Sequence, residues 1–253
     1  MLQDVLLISA TVSAVILLIL PLRGLLRRRY PVARLYVVWL ILALRLIVPF
    51  RWQWENAPVQ LPTPPQTAET GISQRPAQAA PAAPAEPSLS PAEMLPWVWA
   101  AGAGGMVLYH LGAYFVFRIR IRPYLTPLDE DRRKSFFGKD PGVFRCSAIQ
   151  SPMMLGYFRP MILLPETDYT PEELMAVLLH ERAHFRRGDT WYKLLILLAN
   201  AIHWFNPLVW WMARKAQEDL ELACDELVIR RQSPEFRRHY SNAILKTVSQ
   251  EKL

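Results

Sequence analysis

The sequence predicts a mainly α-helical membrane protein, with three transmembrane helices leading into a cytoplasmic α+β domain that holds a small β-sheet. Three observations carry this. Hydrophobic residues make up 52% of the 253-residue chain, yet they collect in long blocks near its start, near residue 100 and near residue 200, where a soluble enzyme would spread them. Arginines gather beside those blocks, as they do in cytoplasmic loops of membrane proteins. A His-Glu-x-x-His motif stands outside the first three blocks in an amphipathic stretch. The two cysteines form no CxxC pair, which excludes a disulfide-stapled scaffold. The net charge of +7 (29 basic against 22 acidic residues) would suit nucleic acid, but the arginine clusters already have a topological role, so direct nucleic-acid binding is not expected.

Residues 1–55 carry the first two spans, at about 5–22 and 35–50. Val5 to Leu22 holds no charge and is near the minimum length for crossing a bilayer. A cleaved signal peptide places its positive charge first; here Asp4 precedes the block and Arg23, Arg27, Arg28 and Arg29 follow it, the order of a retained helix. The second span contains Arg45, close enough to the Arg51 end to snorkel. Residues 56–94 read as an extracellular tether rich in Pro and Ala, unable to bury a core. The third span, 95–117, includes Ala101, Gly102, Ala103, Gly104 and Gly105. Ala101 and Gly105 stand at small-xxx-small spacing, suited first to packing within the chain and second to a homodimer. The loop after span one is purely basic and the loop after span two is mostly acidic, so the N-terminus lies outside and residues 118–253 lie in the cytoplasm.

His180-Glu181-Arg182-Ala183-His184 carries the chemistry. Residues four apart share one helix face, so both imidazoles can reach one ion while Glu181 reaches a water beside it. Thr170-Pro171-Glu172-Glu173 is a capping box with Pro at the first helical position, and Leu174, Val177 and Leu178 continue an apolar stripe. A zinc site of this type needs a third ligand. Glu221 and Asp225, four apart downstream, supply two carboxylates, one for the ion and one to accept a ring N–H. Glu218, Asp219 and Glu226 compete with them on spacing alone. The block Trp191 to Ala213 is long enough to span, but crossing would put the two histidines and Glu221 on opposite sides. It is therefore expected to be a buried or re-entrant helical hairpin, bent at Asn206-Pro207 and leaning on the bilayer, with His203 a core or interfacial residue.

HERAHFRRGD, HWFNPLVWW and ELACDE, preceded by SPMMLGYFRPMILLPE, together resemble the membrane metallopeptidase domain of the BlaR/MecR antirepressor family. The match runs from about Val143 to Val228, with three preceding spans in the same topology. The resemblance implies a gluzincin fold and one zinc ion per chain, ligated by His180, His184 and Glu221. It also implies Glu181 as general base, Asp225 as the partner of a ligand histidine, and residence in a bacterial plasma membrane. Its expected partners are the lipid bilayer and a protein or peptide substrate such as a cytosolic transcriptional repressor, or the chain itself. Ser151 to Glu166, with Gly156 and a Pro160–Pro165 bracket, then reads as a short hairpin whose edge strand could hold a peptide by β-addition. Cys224 is expected to be a reduced, buried small residue.

The family's sensor-transducers continue into a fourth span and a penicillin-binding domain. This sequence stops at Leu253 without Ser-x-x-Lys or Lys-Thr-Gly, so the expectation is a truncated product or a short member with a different input. Ser233 to Val248 reads as one amphipathic helix; His239 or Tyr240 on it is expected at the surface, with oxyanion stabilisation as the less favoured role. Two rival functions remain: a non-catalytic signalling scaffold with structural zinc, and a transporter. A structural site has no need of Glu181, and apart from Arg45 the spans offer almost no polar lining.

Overall fold

The computed structural model describes residues 2–48, 91–128, 141–230 and 232–251. Three helices come first: α1 (Leu2–Arg29), α2 (Val32–Ile47) and α3 (Pro91–Ile121). A 3-10 turn and strand β1 (Leu125–Pro127) follow, then β2 (Gly142–Cys146), β3 (Met153–Leu155) and β4 (Met161–Pro165). The chain ends in α4 (Pro171–Arg187), α5 (Asp189–Ile202), α6 (Pro207–Ile229) and α7 (Pro234–Glu251). It is mostly helical with one small mixed sheet. Most of the Pro/Ala-rich segment at 56–94, and the last two residues of the span expected at 35–50, lie outside the described residues.

Among the described residues, two helices are long and apolar enough to cross a membrane, within Leu2–Arg29 and Glu93–Tyr124. The expected spans 5–22 and 95–117 are the apolar centres of these longer helices. Helix α2 has 16 residues and reaches only ~24 Å at 1.5 Å per residue, short of a ~30 Å hydrocarbon core on its own. The small-residue surface of α3 packs within the chain, as expected first, but at Gly102 and not at Gly105. Gly102 takes the contact: a Cβ there would stand 2.4 Å from the Trp204 ring, whereas Gly104 and Gly105 face open space.

The apolar faces of α1, α2, α5 and α6 meet in one core built around Ile16, Trp39, Val209, Met212 and Leu220. That core welds the first two helices to the block expected near residue 200, which breaks into α5 and α6 across His203–Asn206. The sheet, in the order β1-β2-β4-β3, has β2 and β4 parallel and its outer pairs antiparallel. Successive side chains of a strand point to opposite faces. Ile162 and Leu164 therefore pack toward Leu174, Val177 and Leu178 of α4, while Leu163 packs toward Ile121 at the end of α3. Among the described residues, strand β3 stands at the sheet edge beside α4, with no strand paired to its outer side.

Candidate metal centre

Helix α4 starts where its capping box predicts. The Thr170 hydroxyl accepts from the Glu173 N–H at 3.2 Å, and Glu173 accepts from the Thr170 N–H at 3.0 Å. It stops at Gly188, whose φ of 68° lies in the left-handed region that glycine adopts without a Cβ clash. The chain turns there directly into α5, which starts at Asp189.

On α4, the Nε2 atoms of His180 and His184 lie 3.0 Å apart. Helix α6 brings Glu221 Oε2 to 3.1 Å from His184 Nε2 and 3.7 Å from His180 Nε2. Tetrahedral zinc with bonds of ~2.0–2.1 Å holds its ligand atoms ~3.3 Å apart, so these spacings bracket what one ion requires. A carboxylate backs each ring on its other nitrogen. Asp225 Oδ1 is 3.1 Å from His180 Nδ1, and Asp189 Oδ2 is 2.7 Å from His184 Nδ1. Histidines that bind metal are commonly aimed in this way.

The other candidates for the third donor are engaged elsewhere. Glu218 pairs with Arg23 and Lys215, Asp219 with Arg23 and Arg27, and Glu226 accepts the Val32 N–H at 3.0 Å. Cys224 is fully buried, as expected, but stands closer to the centre than expected: donor atoms of His180, His184 and Cys224 all lie within 4.8 Å of one another. Its thiol donates to the His180 carbonyl at 3.4 Å. Glu221, and not Cys224, lines the adjoining cleft of about 500 Å³, together with Glu181, Lys193 and the strand residues Met153 and Met154.

One residue that the sequence reading missed and one that it misplaced belong here. Asp189 is buried at the start of α5; its signal was the Gly-Asp pair that ends the matched HERAHFRRGD stretch. Tyr240 corrects the expected surface position: it is 3% exposed, because Phe236, Tyr240, Ala243 and Ile244 form the apolar stripe of α7 against α4. Its hydroxyl donates to Asp225 at 2.6 Å and lies 2.8 Å from His180 Nδ1. That places it behind the ring, away from the Nε2 side. His239 is exposed, as expected.

The charges are mutually reinforcing. Burial opposes protonation of His184, but hydrogen bonds to Asp189, Cys224 and Glu221 outweigh it and push the ring up to about 11. His180 is raised likewise, against its burial, by Asp225, Cys224 and Glu221. Burial raises Glu221, yet the two imidazoles and Lys193 hold it well below the usual carboxylate range. Glu181, 5% exposed, goes the other way: burial raises its carboxyl above the ordinary value despite the pull of both rings. The site thus pairs a low carboxylate suited to a cation with a raised one suited to moving a proton.

A family model described as BlaR1 peptidase M56 matches residues 3–253. Among curated proteins, the chain is 35% identical over 107 residues to the regulatory protein BlaR1 of Bacillus licheniformis, covering 42% of this chain and 18% of that protein. It is 26% identical over 117 residues to the methicillin resistance mecR1 protein of Staphylococcus aureus strain Mu50, covering 45% of this chain and 20% of the relative. The regulatory protein BlaR1 of Staphylococcus aureus is 27% identical over 115 residues, with 44% and 20% covered. The matched part is about a fifth of each relative's length.

Proposed function

We propose, from the premise that this chain belongs to the BlaR1 peptidase M56 family, that it is a membrane-embedded zinc endopeptidase of the gluzincin type. Its task would be regulatory proteolysis in transmembrane signalling, cutting a cytosolic transcriptional repressor or the chain itself. The observation that carries the reading is a buried, raised Glu181 beside three convergent donor atoms, in a cleft floored by an unpaired strand edge. His180, His184 and Glu221 would hold the ion; Asp225 and Asp189 would aim the two rings. Glu221 is preferred to Cys224 because it reaches both Nε2 atoms and faces the cleft.

Bound zinc supplies Lewis acidity and brings the pKa of water down to ~7. Glu181 takes a proton from the attacking water, its carboxyl raised above the ordinary value by burial, and returns it to the leaving amine. Strand β3 holds the substrate backbone extended across the cleft by adding it as a further strand. Helices α1, α2 and α3 cross the membrane with the N-terminus outside, and the domain from residue 118 onward is entered from the cytoplasmic side, because the arginines that end α1 and α3 belong there. The bilayer is a permanent partner. A homodimer is compatible with the glycines of α3 that face open space.

The reading is tested on the purified chain in lipid vesicles with an unfolded protein as substrate. Cleavage should stop on chelation and return with zinc alone; cleavage indifferent to chelator would overturn it. Metal binding should also depend on pH. Without an ion, His184 titrates near 11 against ~6.5 unfolded, so its protonation stabilises the metal-free fold below ~6.5 and is lost as pH rises through 11. Zinc must displace that proton and the one on His180. Apparent affinity should rise about ten- to a hundredfold per pH unit between pH 6 and 7.5 in a competition titration, and a flat profile would contradict the charge state assigned here. Replacing Asp189→Asn should weaken zinc about 10–100-fold while leaving the fold intact by circular dichroism.

A further inference from the structure

We infer that the α5–α6 hairpin is a re-entrant element that carries the turn at His203–Asn206 about two-thirds of the way across the bilayer, against lipid acyl chains on its outer face. This rests on the reading above that α1 and α3 cross a membrane. Two contacts fix its depth along α1. Asn206 donates to Ser9 and Ser13 near the start of that helix, both at 2.7 Å. Asp219 accepts from Arg23 and Arg27 near its end. The two levels are ~20 Å apart along either helix at 1.5 Å per residue, against a hydrocarbon core of ~30 Å. The far ends of the other spans agree: His203 Nε2 is 3.1 Å from the Leu46 carbonyl at the end of α2, and Trp99, early in α3, donates to the Ile202 carbonyl at 2.8 Å.

The turn is built as hydrocarbon requires and water does not. Backbone groups freed between two helices must find protein partners where no solvent reaches. The Ile202 carbonyl takes the Trp99 indole, the His203 carbonyl takes the Asn206 N–H at 2.8 Å, and the Trp204 carbonyl takes the Trp210 indole at 2.9 Å. The Asn206 side chain caps the Leu208 N–H. What remains exposed is apolar: Trp204, Phe205, Pro207, Trp210 and Trp211. Arg214 on the same face lies ~7 Å from the Asp219 level, within reach of the interface by snorkelling. Both helices return to one side, so the metal centre sits at the membrane surface and substrates must be presented there.

Spin labels test this on the full chain in phosphatidylcholine–phosphatidylglycerol vesicles. Labels at Phe205→Cys and, separately, Trp211→Cys are compared with Leu17→Cys on α1 and Gln217→Cys on α6; the unsubstituted chain is the control for labelling of buried Cys146 and Cys224. The hairpin labels should collide with oxygen and be shielded from a water-soluble nickel chelate, as Leu17 is, while Gln217 shows the reverse. Hairpin labels as open to nickel as Gln217, with Leu17 still shielded, would overturn the inference alone. A nickel-accessible Leu17 would overturn the membrane reading itself, and the inference with it.

Discussion

Glu181→Gln should keep zinc bound and lower peptide hydrolysis about 10²- to 10⁴-fold, the share that a positioned general base supplies. Gln fills the same buried volume and can still hydrogen-bond, but it cannot accept the proton of the attacking water. The effect should fall on turnover and leave substrate affinity nearly unchanged, because the strand edge that would bind substrate is a separate element. Steady-state cleavage by wild type and variant, each loaded with zinc, checks both points. A variant that cuts at the wild-type rate would remove Glu181 from the mechanism and leave the site to a structural zinc.

Asp219→Ala should be the most destabilising single change at the junction of α1, α2 and α6. The carboxylate is fully buried and accepts from Arg23 at 3.0 and 3.2 Å, Arg27 at 2.9 and 2.7 Å, and the Trp39 indole at 2.7 Å. Removing it leaves the buried Arg23 guanidinium only the exposed Glu218 and the Lys215 carbonyl, and breaking a buried pair from one side costs about 3–5 kcal/mol. Asp219→Asn keeps an acceptor and should cost less. Because Glu221 is two residues further along α6, loss of this anchor should also loosen the donor atoms proposed to hold zinc. Denaturation in detergent measures the first effect and zinc retention the second; a loss below about 0.5 kcal/mol would contradict the role given to this cluster.

Asp219 also shows where the sequence was mute. Five acidic residues stand from Glu218 to Glu226, and only the packing of α1, α2 and α4 against α6 decides which of them face arginines and which face histidines. The same holds for Gly102, chosen over its small neighbours by the position of Trp204. Local features were legible because their causes are local. The capping box at Thr170, the one-turn spacing of the two histidines and the break before Pro207 all follow from a few adjacent residues. Tyr240 was half legible: its apolar stripe was present in the sequence, but not the knowledge that α7 packs on α4.

The third ligand is decided by the zinc content of the detergent-purified chain, wild type beside Glu221→Ala and Cys224→Ser. About one zinc per chain is predicted in the wild type and in Cys224→Ser, and little in Glu221→Ala. Zinc kept by Glu221→Ala and lost from Cys224→Ser would make the thiolate the third ligand, and no zinc in the reconstituted wild type would contradict a metallopeptidase altogether.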